Sequence, residues 1–156
     1  MFELRGESAI QTSGVFISYT HVDSEFIDGL ERKLNEKRIR FWRDVHHASA
    51  GRLDRIVDRA MRLNPTVLLV LSEHSVTSDW VEDEVDRARE LEKELGRDVL
   101  CPIALDEAWK DCAWSRPLRT QIKKYHVLPF GEWRDPASFE RMFRRLVEGL
   151  SIFYHD

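Results

Sequence analysis

Thr66-Val67-Leu68-Leu69-Val70-Leu71-Ser72 (TVLLVLS, residues 66–72) is apolar from end to end apart from its two hydroxyl-bearing termini, and it is rich in β-branched residues. A strand with one wet face alternates apolar and polar positions; this one does not, so it is expected to be covered on both faces. That is the environment of an inner strand of a parallel sheet. Asn64-Pro65 stands just before it and stops whatever helix precedes.

The neighbouring segments read in alternation with it. Val15-Phe16-Ile17-Ser18-Tyr19 is a second buried-strand candidate. Asp23 or Ser24 can cap the following helix, whose apolar positions are Phe26, Ile27, Leu30 and Leu34. Ile39-Arg40-Phe41-Trp42 reads as a strand ending in Arg43-Asp44, and a loop from Val45 to Gly51 leads to a helix carrying Leu53, Ile56, Val57, Ala60 and Met61. After strand 66–72 a helix is expected from Ser78 to Leu95, closed by Gly96. Asp98 to Leu105 reads as a fourth strand, a short helix is placed around Leu118 and Ile122, and His126 to Phe130 as a fifth strand. Asp135-Pro136 opens a final helix, which buries Phe139, Met142, Phe143, Leu146, Val147 and Leu150. Strands alternating with helices require right-handed crossovers, hence a five-stranded parallel sheet with helices on both faces, α/β and flavodoxin-like. Such sheets bind ligands beyond the carboxyl ends of their strands, near Ser18, Tyr19, Asp44 and Ser72.

Composition narrows the function. The 156 residues suit one domain, expected to span 14–156 after a tail or linker at 1–13. Apolar residues at 42% and charged residues at 33% give no case for disorder, and a net charge of −4 argues against nucleic acid held by a basic surface. Charge runs such as Glu90-Leu91-Glu92-Lys93-Glu94 read as solvated helix faces. Cys101 and Cys112 lack CxxC spacing, so neither a disulfide framework nor a zinc knuckle is indicated, and Cys101 reads as core. A reducing, cytoplasmic setting fits. No apolar run approaches the roughly 18 residues that span a bilayer, and the N-terminal residues lack the apolar centre of a signal peptide.

The helix beginning in Ser78-Asp79-Trp80-Val81-Glu82-Asp83-Glu84-Val85 carries several acids. At about 100° per residue, Trp80, Val81, Val85, Ala88, Leu91 and Leu95 fall on one side, with Glu84 near the middle of that side. Glu82, Asp83, Asp86 and Glu90 fall opposite. An inward carboxylate must be paired, protonated or open onto a cavity. Glu84 can serve the helix dipole or pair with Arg43 or Arg52, or it can do chemistry.

GVFISYTHVD, FWRD, the Ala50-Gly51 loop, TVLLVLSEHSVTSDWVEDEV and CPIAL, in that order, resemble a TIR (Toll/interleukin-1 receptor) domain over roughly residues 14–153, and the KKYHVLPF ending is similar to bacterial members. The resemblance implies one of two functions. One is cleavage of the nicotinamide–ribose bond of NAD+, giving nicotinamide and ADP-ribose or a cyclised form. The alternative is a non-enzymatic scaffold working through TIR–TIR association. In the enzymatic branch the glutamate closing a W-x-x-x-E stretch is catalytic; here that is Glu84, with Trp80 the matching tryptophan. The resemblance places Phe16, Ser18, Tyr19, Trp42, Asp44, Gly51 and Ser72 around the substrate, with Val45–Gly51 as a loop for NAD+ access and for contacts in a homo-oligomer or with other TIR domains. A bacterial defence or effector role follows from the same likeness. NAD+ is then the substrate, with no further cofactor. No metal is expected, and the adjacent His46-His47 reads as a solvated loop pair.

The sequence departs from the family pattern at Val81, where cysteine is common, at Phe139 and Phe143 in place of a Phe-Trp pair, and at Thr20, where some members are basic. Arg43 or Arg52 would then supply phosphate contacts. Two rivals on the same fold class fail on residues. A response-regulator receiver needs an acidic pair, an Asp and a Lys where this chain has Ser18-Tyr19, Ser72 and Phe130. A dinucleotide oxidoreductase needs GxGxxG where the chain has Tyr19-Thr20-His21-Val22.

Overall fold

The computed structural model describes residues 14–46, 54–64 and 66–155; the expected tail at 1–13, His47, Gly51, Arg52, Leu53 and Pro65 lie outside the described residues. The elements in chain order are β1 (Val15–Thr20), a 3-10 turn (His21–Asp23), α1 (Ser24–Glu36), β2 (Phe41–His46), α2 (Asp54–Leu63), β3 (Thr66–Leu71), α3 (Trp80–Leu95), β4 (Leu100–Ala104), α4 (Ala108–Asp111), α5 (Arg116–Lys123), β5 (Leu128–Pro129) and α6 (Pro136–His155). The sheet has five parallel strands in the order β2-β1-β3-β4-β5, the doubly wound flavodoxin-like arrangement.

Alternate residues of the inner strands feed two separate cores. Val15, Ile17 and Tyr19 of β1 and Leu68 and Val70 of β3 meet Phe26, Ile27, Leu30 and Leu34 of α1 and Phe143, Leu146 and Leu150 of α6. Phe16 of β1 and Val67, Leu69 and Leu71 of β3 meet Ala60 and Met61 of α2, Val81, Val85, Ala88 and Leu91 of α3, and Leu118 and Ile122 of α5. Every residue of β1 and β3 is buried, as the unbroken apolar run 66–72 required.

Several boundaries and side chains differ from expectation. β2 starts two residues later and runs on through Val45 and His46, which makes these strand residues, not loop. The fifth strand shrinks to Leu128–Pro129, pairing only with Ile103 and Ala104. The helix Ala108–Asp111 was not expected. Leu95, placed on the inner face of α3, is 46% exposed in the last turn before Gly96. Gly96 closes α3 as foreseen: its φ of 70° lies in the left-handed region, and its N–H donates to the Glu92 carbonyl. Glu92 itself is not a solvated surface charge. Its Oε2 accepts from the backbone N–H of Val99 (2.9 Å) and Leu100 (3.1 Å), and its Oε1 from the Tyr125 hydroxyl (2.8 Å). Burial and this bond to Glu92 push the Tyr125 hydroxyl up to about 12. The contact ties the end of α3 to the entry of β4, where Val99 and Leu100 would otherwise lack acceptors. Cys101 packs against the first core, and burial pushes its thiol up to about 12.

Asp23 makes no capping bond to α1; its Oδ2 instead accepts from Ser72 Oγ at 2.6 Å in a buried position. Burial holds this carboxyl above its ordinary range, against the lowering pull of the Ser72 hydroxyl. A carboxyl raised in the folded state contributes stability that is fully present below its unfolded pKa and lost as the pH rises through the folded value. Asp23→Asn keeps an acceptor for Ser72 and removes this titration. Its melting temperature is expected to gain on that of the wild type as the pH goes from about 4 to about 8. Paired thermal melts check this; a difference that stays constant with pH would show that Asp23 titrates normally.

Candidate active site

Parallel pairing sets Ser18 opposite Asp44 and Thr20 opposite His46 at the carboxyl end of the sheet. Asp44 and His46 are two apart on β2 and so point to one face. It is the face covered by α3, because Phe16, in the same row as Ser18, packs in the core that holds Val81 and Val85. Glu84 lies one turn after Trp80 on α3, so the two side chains leave the helix on the same side. The wheel's inward carboxylate is fully buried, at 0% exposure, while Glu82, Asp83, Asp86 and Glu90 are exposed.

These elements converge on the imidazole of His46. Its ring lies flat on the Trp80 indole, with centroids 3.7 Å apart and planes 3° from parallel. Its Nε2 is 3.2 Å from Ser18 Oγ, 3.3 Å from Asp44 Oδ2 and 3.5 Å from Glu84 Oε2. The His46 carbonyl accepts from His21 Nδ1 at 3.2 Å, which anchors the end of β2 to the turn after β1. The protonated ring donates to a carboxylate, whereas a bare Nε2 accepts the Ser18 hydroxyl. Asp44 and Glu84 side chains are 11% and 1% exposed, so the cluster is nearly dry and its interactions are little screened. Two carboxylates held this way can orient sugar hydroxyls, favour positive charge developing on a bound ligand, or ligate a cation.

The structure brings together Glu84, Trp80, Ser18 and Asp44. Phe16 and Trp42 lie one step upstream on the same face of β1 and β2, Phe16 fully buried and Trp42 at 43% exposure. It does not bring Tyr19 or Ser72 to them. Tyr19 turns into the opposite core, where burial holds its hydroxyl above the ordinary range, and Ser72 is engaged with Asp23. Arg43, offered as a partner for Glu84 or a phosphate, also lies on the far face: it pairs with Glu31 and Asp28 of α1 and sits over the Tyr19 ring. The reading of His46 as a solvated loop residue is corrected. It is 6% exposed and central to the cluster. The signal that would have found it is the period-two series Trp42, Asp44, His46, once β2 is carried two residues further.

A doubly wound parallel domain with a carboxylate cluster at its carboxyl edge is the class that fold and site define. Residues 15–147 match the TIR domain family model, and the chain belongs to that family. An uncharacterised protein of Sinorhizobium fredii, y4lF, is 28% identical over 123 residues, covering 76% of this chain and 33% of its own length. The chain thus spans about a third of that relative. Among solved structures, the TIR domains of the activated Roq1 resistosome directly recognising the pathogen effector XopQ superpose with a TM-score of 0.62. That likeness, at 14% identity, covers 88% of this chain and 98% of the Roq1 chain, and it speaks to the fold alone. Among the described residues no helix is long and apolar enough to cross a membrane.

Proposed function

We propose that this TIR domain is an NAD+ glycohydrolase with Glu84 as its catalytic carboxylate. The observation that carries the reading is the burial of Glu84 at the carboxyl edge of the sheet, beside Trp80, Ser18 and Asp44, while the other acids of its helix face water. In the proposed reaction the C1′–N bond of NAD+ breaks and its electron pair leaves with nicotinamide, which becomes neutral. Positive charge passes to the ribose as an oxocarbenium ion. Glu84 would stabilise that charge or bond to it transiently, as carboxylates do in glycoside hydrolysis. Water adds to C1′ and loses a proton to give ADP-ribose; attack from within the same dinucleotide gives the cyclic product. Nicotinamide leaves without a general acid, so the reaction requires no small molecule besides the dinucleotide and, for hydrolysis, water.

Ser18 and Asp44 supply polar contacts for ribose hydroxyls, and Trp80, with the His46 ring on one face of its indole, borders the site together with Trp42 and Phe16. Self-association, or association with other TIR domains, would activate the site through residues 45–51, of which Val45 is 37% exposed on β2. The presence of Roq1 TIR domains in an activated resistosome supports that part of the reading. A cytoplasmic role in bacterial defence or as an effector is its natural setting. The test follows NAD+ loss and nicotinamide release by chromatography at rising protein concentration, with and without a crowding agent. Turnover that rises faster than concentration is expected. Absence of turnover at every concentration would leave the scaffold reading, in which the function belongs to the partner.

A further inference from the structure

The Asp44–His46–Glu84 cluster has a second capacity. Ligands about 2.0–2.2 Å from a zinc-sized ion lie roughly 3.0–3.5 Å from one another when the ion is tetrahedral or octahedral. His46 Nε2 is already 3.3 Å from Asp44 Oδ2 and 3.5 Å from Glu84 Oε2, and one ligand atom from each of the three residues lies within 4.8 Å of the others. Two of the three pairings therefore already have the spacing of ligands around a single ion. The donors are also held from behind. Asp44 and His46 project from alternate positions of one strand, Glu84 projects from the second turn of a helix, and the Trp80 indole fixes the plane of the imidazole. Such support of a ligand's orientation is what makes a site preformed. One imidazole and two carboxylates suit zinc or manganese; calcium and magnesium favour all-oxygen sets.

We propose that Asp44, His46 and Glu84 form a binding site for a single divalent transition-metal ion of the zinc class, and that occupancy of this site silences NAD+ cleavage. The binding half stands on the geometry alone; the silencing half rests on the glycohydrolase reading, since a metal-bound Glu84 can no longer meet positive charge on the ribose. Ligation through Nε2 requires the His46 proton on Nδ1. Ser18 Oγ, 3.2 Å from Nε2, borders the proposed site.

The experiment titrates Zn2+ into EDTA-stripped, dialysed protein by calorimetry and records the visible spectrum with Co2+ as a probe. Wild type is expected to take one ion per chain at this site, with a Co2+ band of low coordination number. His46→Gln and Asp44→Asn, each checked for folding by circular dichroism, are expected to lose that site's affinity at least about tenfold. His74→Gln and His126→Gln, at exposed positions, are expected to keep it. Wild type that takes no ion, or His46→Gln and Asp44→Asn that bind as wild type does, would overturn the site. Zn2+ should lower NAD+ turnover in proportion to occupancy, reversed by EDTA. Full turnover at saturation would overturn the silencing alone. A chain with no turnover would sink the glycohydrolase reading and leave the calorimetric result standing.

Discussion

Glu84→Gln is expected to lower NAD+ turnover by at least about a thousandfold while the domain stays folded. The amide matches the carboxylate in shape and still offers an oxygen to His46, so the core joined by Val81, Val85 and Ala88 is expected to stay intact. What disappears is the negative charge at a nearly dry position, where electrostatic stabilisation of a developing cation is strongest. Single groups that stabilise transition-state charge typically carry about 10²–10³ in rate. A carboxylate that also traps the ribose covalently carries more. A thousandfold corresponds to about 4 kcal/mol of transition-state stabilisation. The measurement is nicotinamide release by both proteins at matched concentration, with circular dichroism to confirm the fold. Equal turnover would remove Glu84 from the mechanism.

Much of this domain is readable from residues in order, and what is misread lies mainly in the strands. The run 66–72 announces a strand covered on both faces, and the α3 periodicity sets Glu84 apart from four neighbouring acids. Helices have one buried side, so their pattern tells which way each residue points. A strand covered on both faces has no such pattern. In β1 all six residues are buried, and nothing in VFISYT says that Ser18 shares a face with Glu84 while Tyr19 faces away from it. The same ambiguity misassigned Arg43, which its strand turns towards Glu31. Polar residues at the strand ends add a second difficulty. Asp44, Val45 and His46 resemble a loop by composition, yet parallel pairing to Ser18, Tyr19 and Thr20 carries them on as strand. Their ladder partners lie far away in sequence, as does the Tyr125 hydroxyl that helps make Glu92 an anchor only through the fold.

Phe26→Ala is expected to cost about 3–5 kcal/mol, the usual range for deleting a fully packed aromatic ring. Phe26 is 1% exposed at the start of α1, and its ring meets Phe130 and Trp133 edge-on at 5.5 Å and Phe139 at 5.8 Å. These neighbours come from the β5 exit and from α6, so the ring closes the layer that joins the two ends of the chain. Losing it leaves a cavity and removes edge-to-face contacts worth about 0.5–1.5 kcal/mol each beyond area. Phe26→Leu, which fills part of the cavity but loses the same ring contacts, is expected to lose less than the alanine variant. Urea unfolding at constant temperature checks both: the midpoint should fall in the order wild type, Leu, Ala, with an unchanged slope. A loss below about 1 kcal/mol for the alanine variant would contradict the packing of this layer. The same variant separates fold from site. Phe26 lies across the sheet from Glu84, in the core built by the odd residues of β1. Well below its melting point, folded Phe26→Ala should therefore turn over NAD+ at the wild-type rate, because a rigid sheet stands between the cavity and the carboxylate. A rate that falls with the fold intact would mean that packing under α1 sets the geometry at the edge where β1 and β2 end.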